Sequence, residues 1–342
     1  MKKTMPQHNL PNSFQLESGQ SLLGASLYYE ILGEISENKE VVWVCHAFTG
    51  SATVKDWWAS LFVENGGFID LNQHVVICAN LLGSCYGSTG PESLNPHTAE
   101  IYGDEFPIIT NRDAVRAFIE LRIALNIPKI HFLIGGSLGG QQALEWSIME
   151  PEVIVNQILV ASNAKHSAWG IAFNELQRQA IELGEKSDVE DQQKSLSLAR
   201  SIAMLSYRSY SDFERNQNGK AENGDWRVSS YLKYQGKKFN GRFSIKSYNI
   251  LSKMMDSHNV ADGRGGKLAE VLKSVKVKTL CIGIDSDNLF PLDEQIFISE
   301  HIPNAKLEVI KSSKGHDAFL IEGNLISKFI NKQLSNTLYE ET

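Results

Sequence analysis

Cysteine, proline and long apolar runs are all scarce in this sequence of 342 residues. The four cysteines, Cys45, Cys78, Cys85 and Cys281, have neither Cys-x-x-Cys spacing nor the density of a disulfide scaffold, so they read as small core residues. Nine prolines beside 26 glycines, with 42% hydrophobic and 21% charged residues, exclude a fibrous or disordered chain. No run approaches the roughly 18 apolar residues of a membrane span. The start, "MKKTMPQHNLPNSFQLESGQSL", turns polar too early for a signal peptide. The expectation is a cytoplasmic protein with no membrane partner. A net charge of -7, without a basic block, also argues against nucleic acid as a partner, although one local arginine can still serve an anionic small substrate. There is no HExxH, no clustered His and Cys set and no GxxxxGK[ST] loop. Neither a metal nor a permanently bound cofactor is expected.

What is present is an alternation. Short β-branched runs recur at "VVWVCHA" (from Val41), "HVVICANLL" (His74), "IHFLIGG" (Ile130) and "VNQILVASN" (Val155), separated by helix-like "NRDAVRAFIELRIALNI" and "LGGQQALEWSIM". Such alternation predicts a mostly parallel sheet covered by helices on both faces. Between about 166 and 270 the pattern becomes helical and polar, as in "IAFNELQRQAIEL", "QKSLSLARSIAMLSY" and "SIKSYNILSKMMDSH", with a loop-like "NQNGKAENGDW". Strands return at "VKVKTLCIGIDSD" and "AKLEVIKSS", and "LISKFINKQL" reads as a closing helix. The predicted organisation is an α/β core over 1–165 and 271–342, with a helical cap inserted over 166–270.

Chemistry concentrates at strand ends. In "HFLIGGSLGGQQALEW" the G-x-S-x-G pattern around Ser137 lies between a strand and a helix, where small neighbours permit the strained turn that exposes a nucleophilic hydroxyl. A serine needs a base held by an acid. His316 in "SSKGHDAFL" follows the last strand, and Asp287 in "GIDSDNLFP" follows the one before it, giving the chain order Ser, Asp, His of an α/β-hydrolase triad. Asp285 competes for the acid role; Asp287 is preferred because it clears the strand end and "DNLFP" forms a fixed turn. The backbone N–H of Leu138 and that of Phe48 in "CHAFTGSA" are the expected oxyanion donors. His46 reads as a structural loop residue, and "LLGSCYGSTGPESLNP" as a rigid loop shaping the pocket wall, with turns at Gly87, Gly90 and Pro91. These groups attack an ester or thioester; they do not say whether water or a bound alcohol removes the acyl group.

The stretches "HAFTG", "NLLGSCYGSTGPESLNP", "YGDEFPIITNRDAVRA", "GGSLGGQQALEW", "SYRSYSDFERN", "YLKYQGKKFNGRF", "DSDNLFP" and "GHDAFL" occur in that order over almost the whole chain. Together they resemble the homoserine O-acetyltransferase family, which has the α/β-hydrolase fold and makes an activated ester of homoserine for methionine synthesis. The resemblance implies a triad of Ser137, Asp287 and His316. It also implies Arg208 as partner of the substrate carboxylate, Asp317 as partner of its ammonium and Tyr234 as a pocket tyrosine. L-homoserine and acetyl-CoA are the implied substrates, in a ping-pong reaction through acyl-Ser137, and a homodimer through the cap is the implied assembly. "SIAMLSY" and "YNILSKMM" supply apolar residues that either meet a second copy or pack on the core. Leu138 and Gln141 stand where the family has methionine, and Phe48 where it commonly has leucine. With Arg208, Leu138 and Gln141 are expected to bear on which acyl group arrives and which hydroxyl carries it away. Succinyl transfer, a serine acceptor and an ester or thioester hydrolase remain the alternatives; a non-enzymatic binding protein of this fold would have no reason to keep all three triad residues.

Overall fold

A computed structural model describes the backbone of residues 6–340 and the side chains of 6–334. Residues 1–5 and 341–342, the ends of the expected α/β core, lie outside it. The strands are β1 (Gln7–Asn9), β2 (Ser13–Gln15), β3 (Ser21–Leu23), β4 (Ser26–Leu32), β5 (Glu40–Cys45), β6 (His74–Ala79), β7 (Ile130–Gly136), β8 (Ile154–Val160), β9 (Lys278–Ile284) and β10 (Ala305–Ile310). The helices are α1 (Val54–Trp58), α2 (Asn111–Ala124), α3 (Leu138–Met149), α4 (Ala168–Glu182), α5 (Val189–Tyr207), α6 (Tyr210–Gln217), α7 (Arg227–Asn240), α8 (Ile245–Asp256), α9 (Leu268–Ser274), α10 (Leu292–His301), α11 (Ala318–Ile321) and α12 (Gly323–Glu340). Eight strands form one sheet in the order β1-β4-β6-β5-β7-β8-β9-β10, while β2 and β3 pair apart from it. From β6 to β10 every pairing is parallel; β4 and β1 extend the edge antiparallel.

Alternation along the strands explains the layers. In β5, Val41, Trp43 and Cys45 enter one apolar cluster with Phe118 of α2 and Leu144 and Trp146 of α3. Val42 and Val44 enter the other, with Trp58 of α1 and Ile326 and Ile330 of α12. A period of two sends successive side chains to opposite faces, so a central strand needs apolar residues throughout. Helix α2 begins at a capping box: Thr110 Oγ1 accepts from Asp113 N–H, and the Asp113 carboxylate accepts from Thr110 N–H.

Helices α4 to α8 follow β8, and no named strand interrupts them before β9. They do not carry an isolated core, because Ala199, Phe239, Tyr248, Leu251 and Met254 join the cluster on the α2–α3 side of the sheet. The expected cap boundary at 270 falls inside α9. The apolar residues of "YNILSKMM" are buried there, as are Ala203 and Met204 of "SIAMLSY", whereas Leu198 and Leu205 of α5 stay exposed. All four cysteines are free, and Cys45, Cys78 and Cys281 are buried. Among the described residues no helix is long and apolar enough to cross a membrane.

Candidate active site

The site lies at the carboxyl ends of β5, β7, β9 and β10, the edge where parallel α/β sheets carry their ligand-binding loops. Ser137 stands between β7 and α3 with φ 56° and ψ -128°, a left-handed conformation that a non-glycine residue adopts only under constraint. The glycines on either side make that turn feasible. A Cβ on Gly135 would come 2.1 Å from the carbonyl oxygen of Gly139, and one on Gly139 would come 2.1 Å from that of Cys45. The first turn of α3 is thereby pressed against β5 and β7.

His316 lies in a short 3-10 turn, Gly315–Asp317, after β10. Its Nδ1 is 2.6 Å from Asp287 Oδ2, and both side chains are buried. Asp287 Oδ1 accepts from the N–H groups of Leu289 (2.8 Å) and Phe290 (2.9 Å), so the turn in "DNLFP" aims the other oxygen at the imidazole. Phe290 stacks on the ring of His316 at 5.0 Å and 19°, fixing its plane. With Nδ1–H donated to the carboxylate, Nε2 is left as the proton acceptor. Asp285 is exposed instead and accepts from the N–H of Ser312 at 3.1 Å.

The loop after β5 closes a turn in which the Ala47 carbonyl accepts from Gly50 N–H and from His46 Nδ1, both at 2.9 Å. In a trans peptide the Phe48 N–H points opposite to that carbonyl. The Phe48 ring packs on Tyr248 at 4.7 Å. Leu138 is the first residue of α3, where an N–H has no intrahelical acceptor. His46 is fully buried, accepts from Leu81 N–H at Nε2 (3.1 Å), and has its pKa pushed down to about 4 by burial. It is a structural residue.

A cavity of about 140 Å³ brings Ser137 and His316 together with Phe48, Asp317, Arg200 and Arg242. Trp57 and Tyr207 also line it. Arg208, at the end of α5, does not. Its Nη1 donates to Asp212 Oδ2 at 3.2 Å, and its Nε lies 2.8 Å from Asp317 Oδ2, off the hydrogen-bond line. Burial raises the pKa of Asp317, while the Arg208 charge opposes that rise.

Three expectations change. Tyr234 is 61% exposed and does not line the cavity, because the inward face of α7 is set by Gly236 and Phe239, and Tyr234 projects from the opposite side. Tyr231, one turn earlier, is partly buried and packs edge-on against Phe213 at 5.9 Å. Gln141 is buried away from the cavity; its Nε2 donates to Asn163 Oδ1 at 2.9 Å and its Oε1 accepts from Asn111 at 3.3 Å. The glycine-rich loop after β6 contributes no residue to the cavity lining, but its Tyr86 hydroxyl accepts from Arg242 at 3.1 Å and so supports the wall from behind. Arg200 and Tyr207 on α5, and Arg242 in the turn after α7, escaped notice because a polar stretch gives no sign of which of its side chains turns inward. The only available signal was that Tyr207 and Arg242 sit in "SYRSYSDFERN" and "YLKYQGKKFNGRF".

Strand order, elbow and acid–base pair define an α/β-hydrolase-fold protein, and the alpha/beta hydrolase fold family model matches residues 40–322. The chain is 47% identical to a homoserine O-acetyltransferase of Cyclobacterium marinum over 91% of this chain and 89% of that one. A second, from Trichormus variabilis, is 40% identical over 94% and 92% of the two chains. The crystal structure of homoserine O-acetyltransferase from Staphylococcus aureus superposes with a TM-score of 0.80 at 31% identity, covering 96% of this chain and 95% of that one. The protein belongs to the homoserine O-acetyltransferase family.

Proposed function

We propose that the protein transfers the acetyl group of acetyl-CoA to the hydroxyl of L-homoserine, with Ser137, His316 and Asp287 as its catalytic triad. The observation that carries this reading is a single cavity shared by Ser137, the Asp287-held imidazole and charged side chains from the helical segment. His316 Nε2 takes the proton of Ser137 Oγ as the oxygen attacks the thioester carbonyl. The developing oxyanion is met by the N–H groups of Phe48 and Leu138, each such donor being worth roughly 2.7–4 kcal/mol in the transition state. Collapse breaks the C–S bond, and the proton held by His316 leaves with the CoA thiolate. Homoserine then enters with its charged end toward Arg208 and Asp317. Its hydroxyl gives its proton to His316 and attacks the acyl-serine, and O-acetylhomoserine departs with Ser137 reprotonated.

The helical segment 166–270 acts in this reading as a cap that keeps water from the acyl-serine. We also propose a cytoplasmic homodimer; exposed Leu198 and Leu205 on α5 support contact through the cap, and the free thiols fit a reducing compartment. Acetyl-CoA is a co-substrate, and no permanently bound cofactor is invoked.

Acetyl-CoA alone should release CoA in a burst equal to the enzyme present and leave Ser137 acetylated in peptide mass spectra, with homoserine discharging the label. CoA release that requires homoserine, from an unmodified serine, would refute the two-step scheme. Steady release without any acceptor would mark a hydrolase. Pairing acetyl- and succinyl-CoA with homoserine and serine settles donor and acceptor.

A further inference from the structure

The chain enters the helical segment at 164–167 and leaves it at 258–260, and the two crossings are paired. The Ala164 carbonyl accepts from Val260 N–H at 3.0 Å, and the His258 carbonyl accepts from His166 N–H at 2.8 Å. This root leads directly into α4 and lies against the turn that carries Asp287. The His166 ring is 5.6 Å from that of Phe290, the ring that stacks on His316. Trp169, the second residue of α4, donates its indole Nε1–H to the Asn288 carbonyl at 2.6 Å.

Trp169 is 55% exposed, so water could satisfy its N–H and burial does not force this bond. The ring stands edge-on to Phe173 at 5.1 Å, which sets where the N–H points. What it holds is one peptide group with two attachments. The Asn288 carbonyl and the Leu289 N–H belong to the same trans peptide and point to opposite sides of it. Leu289 N–H donates to Asp287 Oδ1 at 2.8 Å, and Asp287 Oδ2 lies 2.6 Å from His316 Nδ1. A continuous chain of hydrogen bonds therefore runs from the indole, through one peptide and one carboxylate, to the base. Bonds in such a chain polarise one another, and a peptide held at both ends resists rotation. We propose that Trp169 is a positioning residue, which fixes the 288–289 peptide from the helical segment and through it the orientation of Asp287 against His316. The placement of α4 and the orientation of the base are thereby coupled, because α4 cannot shift without releasing that peptide. This rests on the reading of Ser137, His316 and Asp287 as the triad of acetyl transfer.

The test is the CoA burst from acetyl-CoA in the full chain. Trp169→Phe keeps a ring for Phe173 and deletes the donor. Its burst rate at saturating acetyl-CoA should fall about three- to tenfold, the range of one net hydrogen bond, while the half-saturating acetyl-CoA concentration stays within about twofold. Trp226→Phe, at a similarly exposed tryptophan that pairs with Lys220 instead, should leave the rate unchanged. In an Asp287→Asn background, Trp169→Phe should cost less than about twofold, because the orientation it protects is already lost. An unchanged rate in Trp169→Phe, or a loss by the same factor in both backgrounds, would overturn the assignment of Trp169 while leaving acetyl transfer intact. So would a loss that follows the fraction unfolded in thermal melting. Wild-type enzyme that releases no CoA, with or without homoserine, would overturn both readings. Trp169→Leu repeats the deletion of the donor if Trp169→Phe does not fold.

Discussion

Replacing Asp287 by asparagine isolates the orientation of the base from every other feature of the site. Asp287 uses both oxygens: Oδ1 accepts from Leu289 and Phe290, and Oδ2 faces His316 Nδ1 at 2.6 Å. In Asp287→Asn the amide oxygen keeps the two backbone donors, so the turn and the fold persist, but the NH2 group now faces Nδ1. That nitrogen must become an acceptor, its proton moves to Nε2, and the imidazole can no longer take the serine proton. The same exchange in a serine-protease triad lowers kcat by about 10⁴, or roughly 5 kcal/mol of barrier. A comparable fall is expected in the CoA burst rate, read with a thiol reagent in stopped flow. Asp285→Asn is the internal control, because Asp285 accepts from Ser312 N–H and does not touch His316. A burst within tenfold of wild type in Asp287→Asn, or equal losses in the two variants, would refute the assignment of the acid.

Glu294 gives a pH prediction. Burial raises its pKa to about 7, against a hydrogen bond from Asn163. A carboxyl raised in the folded state holds its proton there after the unfolded chain has lost it. Stability is therefore full below the ordinary carboxylate range and falls as pH rises to about 7, by about 3 kcal/mol. Urea unfolding at pH 5 and pH 8 should show that slope, and Glu294→Gln should remove its share; an unchanged slope would contradict the burial argument. Gly139→Ala places a methyl 2.1 Å from the Cys45 carbonyl oxygen, so α3 must move. A loss of at least about 3 kcal/mol in chemical denaturation is expected, together with loss of the burst; a stable, active variant would show that the elbow is looser than described.

The sheet and the elbow were legible because each is written in residues with a single physical use. Central strands buried on both faces must be apolar throughout, and β6, with all six residues buried, could be read from its own letters. Asp287 rather than Asp285 faces His316, an arrangement set by local spacing in the turn after β9. The antiparallel edge was missed: β1 has only three residues, and β4 is only partly buried and carries Ser26 and Glu30, so neither forms an apolar run. Helix α7 was not anticipated beyond its tyrosine, and Tyr234, which the resemblance alone implied, stands 61% exposed because α7 buries Gly236 and Phe239 instead. Arg200 and Arg242 were illegible for a different reason. Whether Arg200 on α5, or Arg242 in the turn after α7, faces solvent or a cavity depends on how these helices pack against their neighbours, and that packing is set by Ala199, Phe239, Tyr248 and other apolar residues spread over the helical segment.

Gln141 was expected to tune the acyl path, and its buried position gives it another consequence. Its amide joins Asn111 of α2 to Asn163 beyond β8, and Asn163 in turn donates to Glu294 of α10. Restoring the methionine usual in the family at this one position would leave Asn163 Oδ1 without that donor, at a cost of about 1–3 kcal/mol. A homologue's residue is thus not portable into this chain by itself. Positions 111, 141, 163 and 294 should be exchanged as a block, and a chimera that splits them should be less stable than either parent.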